Sequence, residues 1–387
     1  MMMRKAAAPA RRITAAEAAG MVRSGMWVDY GAVLAQPDLF DAALADRRDD
    51  LSRVKIRTCL STRPRAVLEQ DPEAQHFFVL NLHFSGYDRR KHDAGIVHYL
   101  PVNLGEIPDY YRRFIPSVDV AVFKTRPMDK DGNFNLGLAN LWHRAVAERA
   151  RVVIVEESEA VPLCHGVENH LHVSEVDYIL RGDDHPLTEL PNPAPTEVDR
   201  AVARQIMEKI DDGDCLQIGI GGMPNAVCSL LAESKVRDLG IHTEMLTDGI
   251  IDLYKAGFLT GARKQIDRGK MVYSFGLGSR QLYDAVDDNP DFLCCSVDYT
   301  NLPQNIMLNH NMVSINNTTQ IDLTGQAASE SDGLRHISGT GGQLQFLRGA
   351  YASPGGRSFL CLSSTYDKKG DRKSRINLHL THGNTVT

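Results

Sequence analysis

The chain lacks any apolar run near the roughly 20 residues that a membrane-spanning helix needs. Its start, MMMRKAAAPARR, lacks the apolar core of a secretory signal. We read it as a loose basic tail on a cytoplasmic protein, with an organelle transit peptide as the alternative. Basic residues are not in excess either. A total of 43 Lys and Arg against 49 Asp and Glu gives a net charge of −6, which supplies no face for nucleic acid. The 7 cysteines form no CxxC pair, and only Cys294 and Cys295 are adjacent. Reduced, mostly buried thiols are expected, not disulfides. His165, His170 and His172, beside Cys164, fit no familiar ligand spacing. They read as strand and turn histidines with local hydrogen bonds, and no metal is expected.

What is present is ordinary soluble composition over 387 residues, 43% apolar and 24% charged. That length holds two domains, each with its own core. Thr14 and Glu17 form a capping box for a helix to about Ser24–Gly25. MWVDYGAV reads as a strand into a turn at Gly31, and 38–44 as a helix. VKIRTCLS and 77–84 follow as strands, the latter leading to a basic stretch, YDRRKHD. Val118–Phe123 and Arg151–Val155 bracket a helix at 141–149. Such alternation argues for a mainly parallel sheet covered by helices. The stretch RGDDHPLTELPNPAPTEVDR, with its four prolines, reads as an interdomain linker. We therefore divide the chain into 1–187 and 188–387. The second part resumes with a helix at 197–210 and strand–helix alternation to FLCCSVDY. After Asn311 the pattern reads as strands: MVSINN, TQIDLTG, QLQFLRGA and SFLCLSS.

Chemistry concentrates between Cys215 and Gly249. An apolar strand, Cys215–Ile218, enters the turn Gly219-Ile220-Gly221-Gly222, and a helix is expected from Pro224. Glycines let backbone N–H groups face a ligand, and a helix N-terminus behind them favours negative charge. The turn is no dinucleotide fingerprint, since Pro224 stands where a third glycine would fall, and no Gly-Lys-Ser/Thr follows for a Walker loop. Read by itself, it could equally be a tight packing turn. Glu244 is a lone carboxylate in the apolar stretch IHTEMLT, either functional or paired with an arginine. Glu330, in Ser-Glu-Ser-Asp-Gly, is a second candidate or a polar turn residue. The turn Ser338-Gly339-Thr340-Gly341-Gly342-Gln343, placed before a strand, could present amide donors to an oxyanion or simply be a hairpin turn.

These motifs, in order, resemble the acetyl-CoA hydrolase/transferase family. The resemblance rests on GIGGMPNAV, HTEMLTDG, SVDY, MVSINNTTQIDLTGQ, SES and ISGTGGQLQFLRGA, with GEIPDYYRR, DKDGNFNLG and HVSEVDY in the first half. It is nearest the glutamate-dependent 4-hydroxybutyrate and butyryl-CoA:acetate CoA-transferases and covers nearly the whole chain. It implies two similar open α/β domains with the active site between them. By position it implies Glu244 as catalytic nucleophile, with Glu330 second. Gly219, Ile220, Gly221, Gly222 and Met223 match a CoA-binding loop, and Thr319 and Gly342 further CoA contacts. The substrates implied are acyl-CoA and a small carboxylic acid, with no permanently bound cofactor, in a homo-oligomer (dimer or tetramer). Family sequences continue past Gly383–Thr387, so the chain is expected to stop inside its second domain, with part of that domain's packing absent.

From the chemistry we assign Gly341 and Gly342 as oxyanion donors and Tyr30 and Gly31 as acyl-pocket residues, the small Gly31 leaving room for the acyl group or simply serving a turn. Arg89-Arg90-Lys91 reads as a solvated basic loop, with contact to CoA phosphates the other possibility. Three functions fit: a CoA-transferase for short acyl groups (acetyl, butyryl, 4-hydroxybutyryl) working through a glutamyl-CoA thioester, a short-chain acyl-CoA hydrolase on the same residues, or a non-catalytic acyl-CoA-binding protein.

Overall fold

The computed structural model describes residues 4–190 and 194–387. Val118–Thr125 and Ala150–Glu157 are runs rich in β-branched residues, buried along most of their length. Parallel strands covered by helices on both faces require such runs. They sit inside an eight-stranded, wholly parallel sheet. Its winding starts at Trp27–Tyr30 and adds Val54–Thr58, Phe77–Asn81 and Val97–Tyr99 outward on one side. The chain then returns to the other side of Trp27–Tyr30 with Val118–Thr125, Ala150–Glu157 and Tyr178–Arg181.

The second half repeats this winding in a six-stranded parallel sheet. Cys215–Ile218 comes first, Gly240–His242, Met271–Tyr273 and Phe292–Cys294 extend outward, and Met312–Asn317 and Arg357–Cys361 return on the far side. In each sheet the strand order reverses between the first strand and the first returning strand. A crevice opens there, at the carboxyl ends of the strands. The larger apolar cluster runs through both halves, from Phe123 and Trp142 to Ile218 and Tyr273. The halves thus share a core.

Several expectations change. Arg11–Ile13 is no loose tail: it pairs in parallel with Tyr178–Leu180 as an edge strand, and Arg4 reaches Asp177 at 2.5 Å. The first helix is capped by Thr14 and Glu17 as expected but ends at Gly20. YDRRKHD lies in a helix, Gly86–Asp93, because Ser85 and Asp88 form a second capping box. QLQFLRGA is a helix, Gln343–Ala352, not a strand. Its buried residues are Gln345, Phe346, Gly349 and Ala350, a helical spacing hidden by a buried glutamine. Within the proline-rich linker, residues 191–193 lie outside the described residues. Before them, Arg63 Nε donates to Thr188 Oγ1 (2.9 Å) and Leu190 N–H to the Gly278 carbonyl (2.9 Å). All seven cysteines are buried and free. Among the described residues no helix is long and apolar enough to cross a membrane.

Candidate active site

A cavity of about 470 Å³ lies where the carboxyl ends of the two sheets face each other. The first half supplies Val33, Cys59, Leu60 and His83, each just past a strand end. The second half supplies Gly219, Ile220, Asn316 and Asn317, which flank the strand-order reversal of that sheet.

Glu244 enters this cavity through a break in its strand. Gly240–His242 pairs with Met271 and Val272, and Met245–Leu246 pairs again with Phe275 and Gly276. Between them the Glu244 carbonyl still accepts from the N–H groups of Ser274 (2.9 Å) and Phe275 (3.1 Å). The backbone stays attached to the neighbouring strand while the side chain turns out to the cavity. The carboxylate is half-buried and meets an amide, not an arginine: Asn301 Nδ2 donates to Glu244 Oε2 at 2.5 Å. Asn301 is fully buried, and its own oxygen accepts from Thr300 Oγ1 at 2.9 Å. Burial raises the Glu244 pKa from 4.5 to about 7, against the lowering effect of the Asn301 bond. The group therefore titrates near neutrality. It is the only carboxylate among the described residues that line the cavity.

The helix after the glycine turn starts at Gly222, so Pro224 is its third residue rather than its first. Gly221 has φ +122°, a conformation that demands glycine. Among the described residues, the N–H groups of Ile220, Gly221, Gly222 and Met223 donate to no partner. Gly219 and Ile220 line the cavity, whereas Met223 is buried behind them. Thr319 sits in a hairpin, its hydroxyl donating to the Ala328 carbonyl at 2.5 Å, and does not line the cavity.

Gly341 and Gly342 do line it, and they open a helix rather than a strand. Their N–H groups also donate to no described partner. A Cβ at Gly342 would collide with Glu244 Oε2 and Asn301 Nδ2, so only glycine lets the carboxylate lie this close to the turn. Glu330 lies behind that turn and outside the cavity lining. Burial raises its pKa, while hydrogen bonds from Thr387, Thr340 and Tyr99 oppose the rise.

Neither residue assigned to the acyl pocket, Tyr30 or Gly31, is in the cavity lining. Tyr30 is 3% exposed, and its hydroxyl donates to Asp41 at 3.1 Å. Gly31 is pressed against the Ala35 backbone. The cavity wall is instead Val33, two residues on, turned inward by φ +55° at the start of a short 3-10 turn. The basic stretch also reads differently. Lys91 pairs with Glu69 (3.0 Å), while Arg89 lines the cavity, its Nε donating to the Ile337 carbonyl at 2.6 Å. Sequence reasoning missed Asn301 and His83. Burial, with His336 and Arg89 nearby, pulls the His83 pKa down to about 4, so its imidazole is neutral at neutral pH. His165 meets Asp288 (3.0 Å) and His172 meets Ser174 (2.8 Å), and no group of three or more possible metal ligands occurs among the described residues.

Residues 2–191 match the acetyl-CoA hydrolase/transferase N-terminal domain, and residues 278–387 match the C-terminal domain of the same family. The chain belongs to the acetyl-CoA hydrolase/transferase family. Within this family it is 45% identical to the butyryl-CoA:acetate CoA-transferase of Anaerostipes caccae, over 97% of this chain and 84% of that protein. The 4-hydroxybutyrate coenzyme A transferase of Clostridium kluyveri is 36% identical over 97% of this chain and 86% of its own length. RipA from Yersinia pestis superposes with a TM-score of 0.86 at 34% identity, covering 97% of this chain and 86% of that one. The family member described here is accordingly a CoA-transferase.

Proposed function

We propose that this enzyme carries CoA from a short-chain acyl-CoA to a carboxylic acid through a thioester on Glu244. The observation that carries the reading is Glu244 itself, the sole described carboxylate of the cavity, held by Asn301 against an amide-bearing turn. An ionised Glu244 oxygen attacks the thioester carbonyl, the C–S bond breaks, and CoA thiolate leaves a mixed anhydride. The thiolate then attacks the glutamyl carbonyl and releases the acyl group as its free carboxylate. An incoming acid attacks the glutamyl thioester and displaces CoA thiolate, which attacks the acceptor's acyl carbonyl and frees Glu244. No step consumes water or ATP.

Asn301 ties down one carboxylate oxygen and leaves the other for attack. The unpartnered amides of Gly341 and Gly342 are placed to stabilise the tetrahedral oxyanion. Those of Ile220 to Met223 suit the phosphate-bearing part of CoA, at the start of an 11-residue helix. Val33, Leu60, Leu104 and Trp142 make an apolar wall that fits an uncharged acyl chain. The seven buried free thiols support a reducing, cytoplasmic setting.

The test is mass spectrometry after incubation with butyryl-CoA, borohydride reduction and peptide mapping. A reduced adduct on the Glu244 peptide is expected. An adduct on Glu330 refutes the assigned nucleophile, and CoA release that needs no acceptor acid makes the enzyme a hydrolase.

A further inference from the structure

The turn that faces Glu244 is poorly braced from within. Gly339, Gly341 and Gly342 stand within four residues, and Gly341 sits at φ +59°. Such a stretch needs outside supports to hold its amides in one direction. Both supports come from the first half.

One is Tyr99, at the end of the edge strand Val97–Tyr99. The Thr340 N–H donates to the Tyr99 hydroxyl oxygen at 3.1 Å. The same hydroxyl lies 3.1 Å from Thr340 Oγ1, which donates its own proton to Glu330 Oε2 at 3.2 Å. The Thr340 N–H thus donates to Tyr99 and the Thr340 hydroxyl to Glu330, while the Tyr99 hydroxyl proton faces both Thr340 Oγ1 and the Glu330 carboxylate. A single phenol grips both the backbone and the side chain of Thr340. Its ring cannot drift, being stacked on His336 at 3.7 Å and set edge-on to Phe84 at 5.8 Å.

The other support is the Leu104 N–H, which donates to the Gly341 carbonyl at 3.3 Å. A trans peptide is planar, so the Gly342 N–H must point away from Leu104. The first support fixes the Gly339–Thr340 peptide and the second the Gly341–Gly342 peptide, so the Thr340–Gly341 peptide that carries the Gly341 N–H is held between them.

We propose that Tyr99 is a positioning residue for the Gly341 and Gly342 amides, so that the first half of the chain sets the oxyanion geometry of the second. This rests on reading Glu244 as nucleophile and those amides as donors. Tyr99 touches neither, and acts through Thr340.

The test is Tyr99→Phe, which keeps the stacked ring and deletes only the hydroxyl. Loss of one direct oxyanion donor lowers kcat about 100- to 1,000-fold, so loss of a support one residue away is expected to lower it about tenfold. KM for butyryl-CoA should stay within about twofold and the melting temperature should not move. The single-turnover rate of thioester formation should fall by the same factor as kcat. Thr340→Val removes the other end of the clamp. Combined with Tyr99→Phe it should add little, because both act through one contact. An unchanged kcat, a raised KM at constant kcat, or a fall in kcat matched by a fall in melting temperature each overturns the proposal. Borohydride mapping of the unsubstituted enzyme separates the two levels. An adduct away from Glu244 fails the underlying reading whatever Tyr99→Phe does. An adduct on Glu244 with full-speed Tyr99→Phe fails only this inference.

Discussion

Replacing Glu244 with Gln should stabilise the protein while abolishing transfer, and the gain should depend on pH. Burial raises this carboxyl from 4.5 to about 7. Between those values the folded state binds more protons than the unfolded chain, so stability falls as pH climbs through that window. The rise from 4.5 to about 7 amounts to about 3 kcal/mol at pH 8, and under about 1 kcal/mol at pH 5. Gln carries no charge at either pH and keeps an oxygen that can accept from Asn301 Nδ2. For a chain of this size, about 1–2 °C per kcal/mol predicts a melting point raised by about 3–6 °C at pH 8 and by about 1 °C at pH 5. Thermal melts of both proteins across that range measure it. An equal offset at both pH values, or a Gln variant less stable at pH 8, would refute the claim that an ionised Glu244 is held at an energetic penalty.

The same raised pKa sets the activity profile: kcat/KM should climb with pH through about 7 and level off above, because only the ionised carboxylate attacks, and a flat profile from about pH 5.5 to about 8.5 rejects this. Asn301→Ala removes the hydrogen bond that favours the charged form, so the profile should move to higher pH with kcat down about tenfold or more; a move to lower pH contradicts the assignment. Gly342→Ala puts a methyl against Glu244 and Asn301 and should lower kcat about 100-fold with the fold intact by circular dichroism; near-normal turnover would mean the carboxylate does not work from this position. Glu330→Gln should keep the borohydride-trapped adduct on Glu244, since Glu330 lies outside the cavity lining; loss of the adduct would restore Glu330 as a candidate.

The parallel strands were legible because they are apolar runs between turn residues, and Glu244 stood out because it is the one charged residue of its run. The reversal of strand order was not legible, because it depends on which strands pair, and no local pattern states that. Helix Gln343–Ala352 was misread because Gln343, Leu344, Gln345 and Phe346 alternate polar and apolar like a strand. Gln345 is buried there for a tertiary reason, accepting the Gly105 N–H at 2.9 Å. The first-half cavity wall lies two residues beyond the expected position: the turn at Gly31 was evident, but not the positive φ at Val33, which lines the cavity. Asn301 gave no signal of its own. It is one asparagine in a short helix, and its meaning comes from Glu244, 57 positions away. Tyr99 and Thr340 are likewise joined only by folding.

The division of the cavity between two separately wound sheets bears on how such an enzyme changes over generations. Glu244 and the two amide-bearing turns belong to the second half, whereas Val33, Leu60 and Leu104 belong to the first. On the proposed mechanism, mutations that reshape the first-half cavity wall can accumulate without touching Glu244, and recombination through residues 182–196 could exchange walls between kindred genes. The shared core restrains that freedom. Gly276 has no room for a side chain because Leu138 from the first half packs onto it beside Leu282. A foreign first half with a bulkier residue at that position would clash with Gly276 and a smaller one would leave a void, so exchange of walls is constrained by packing outside the cavity.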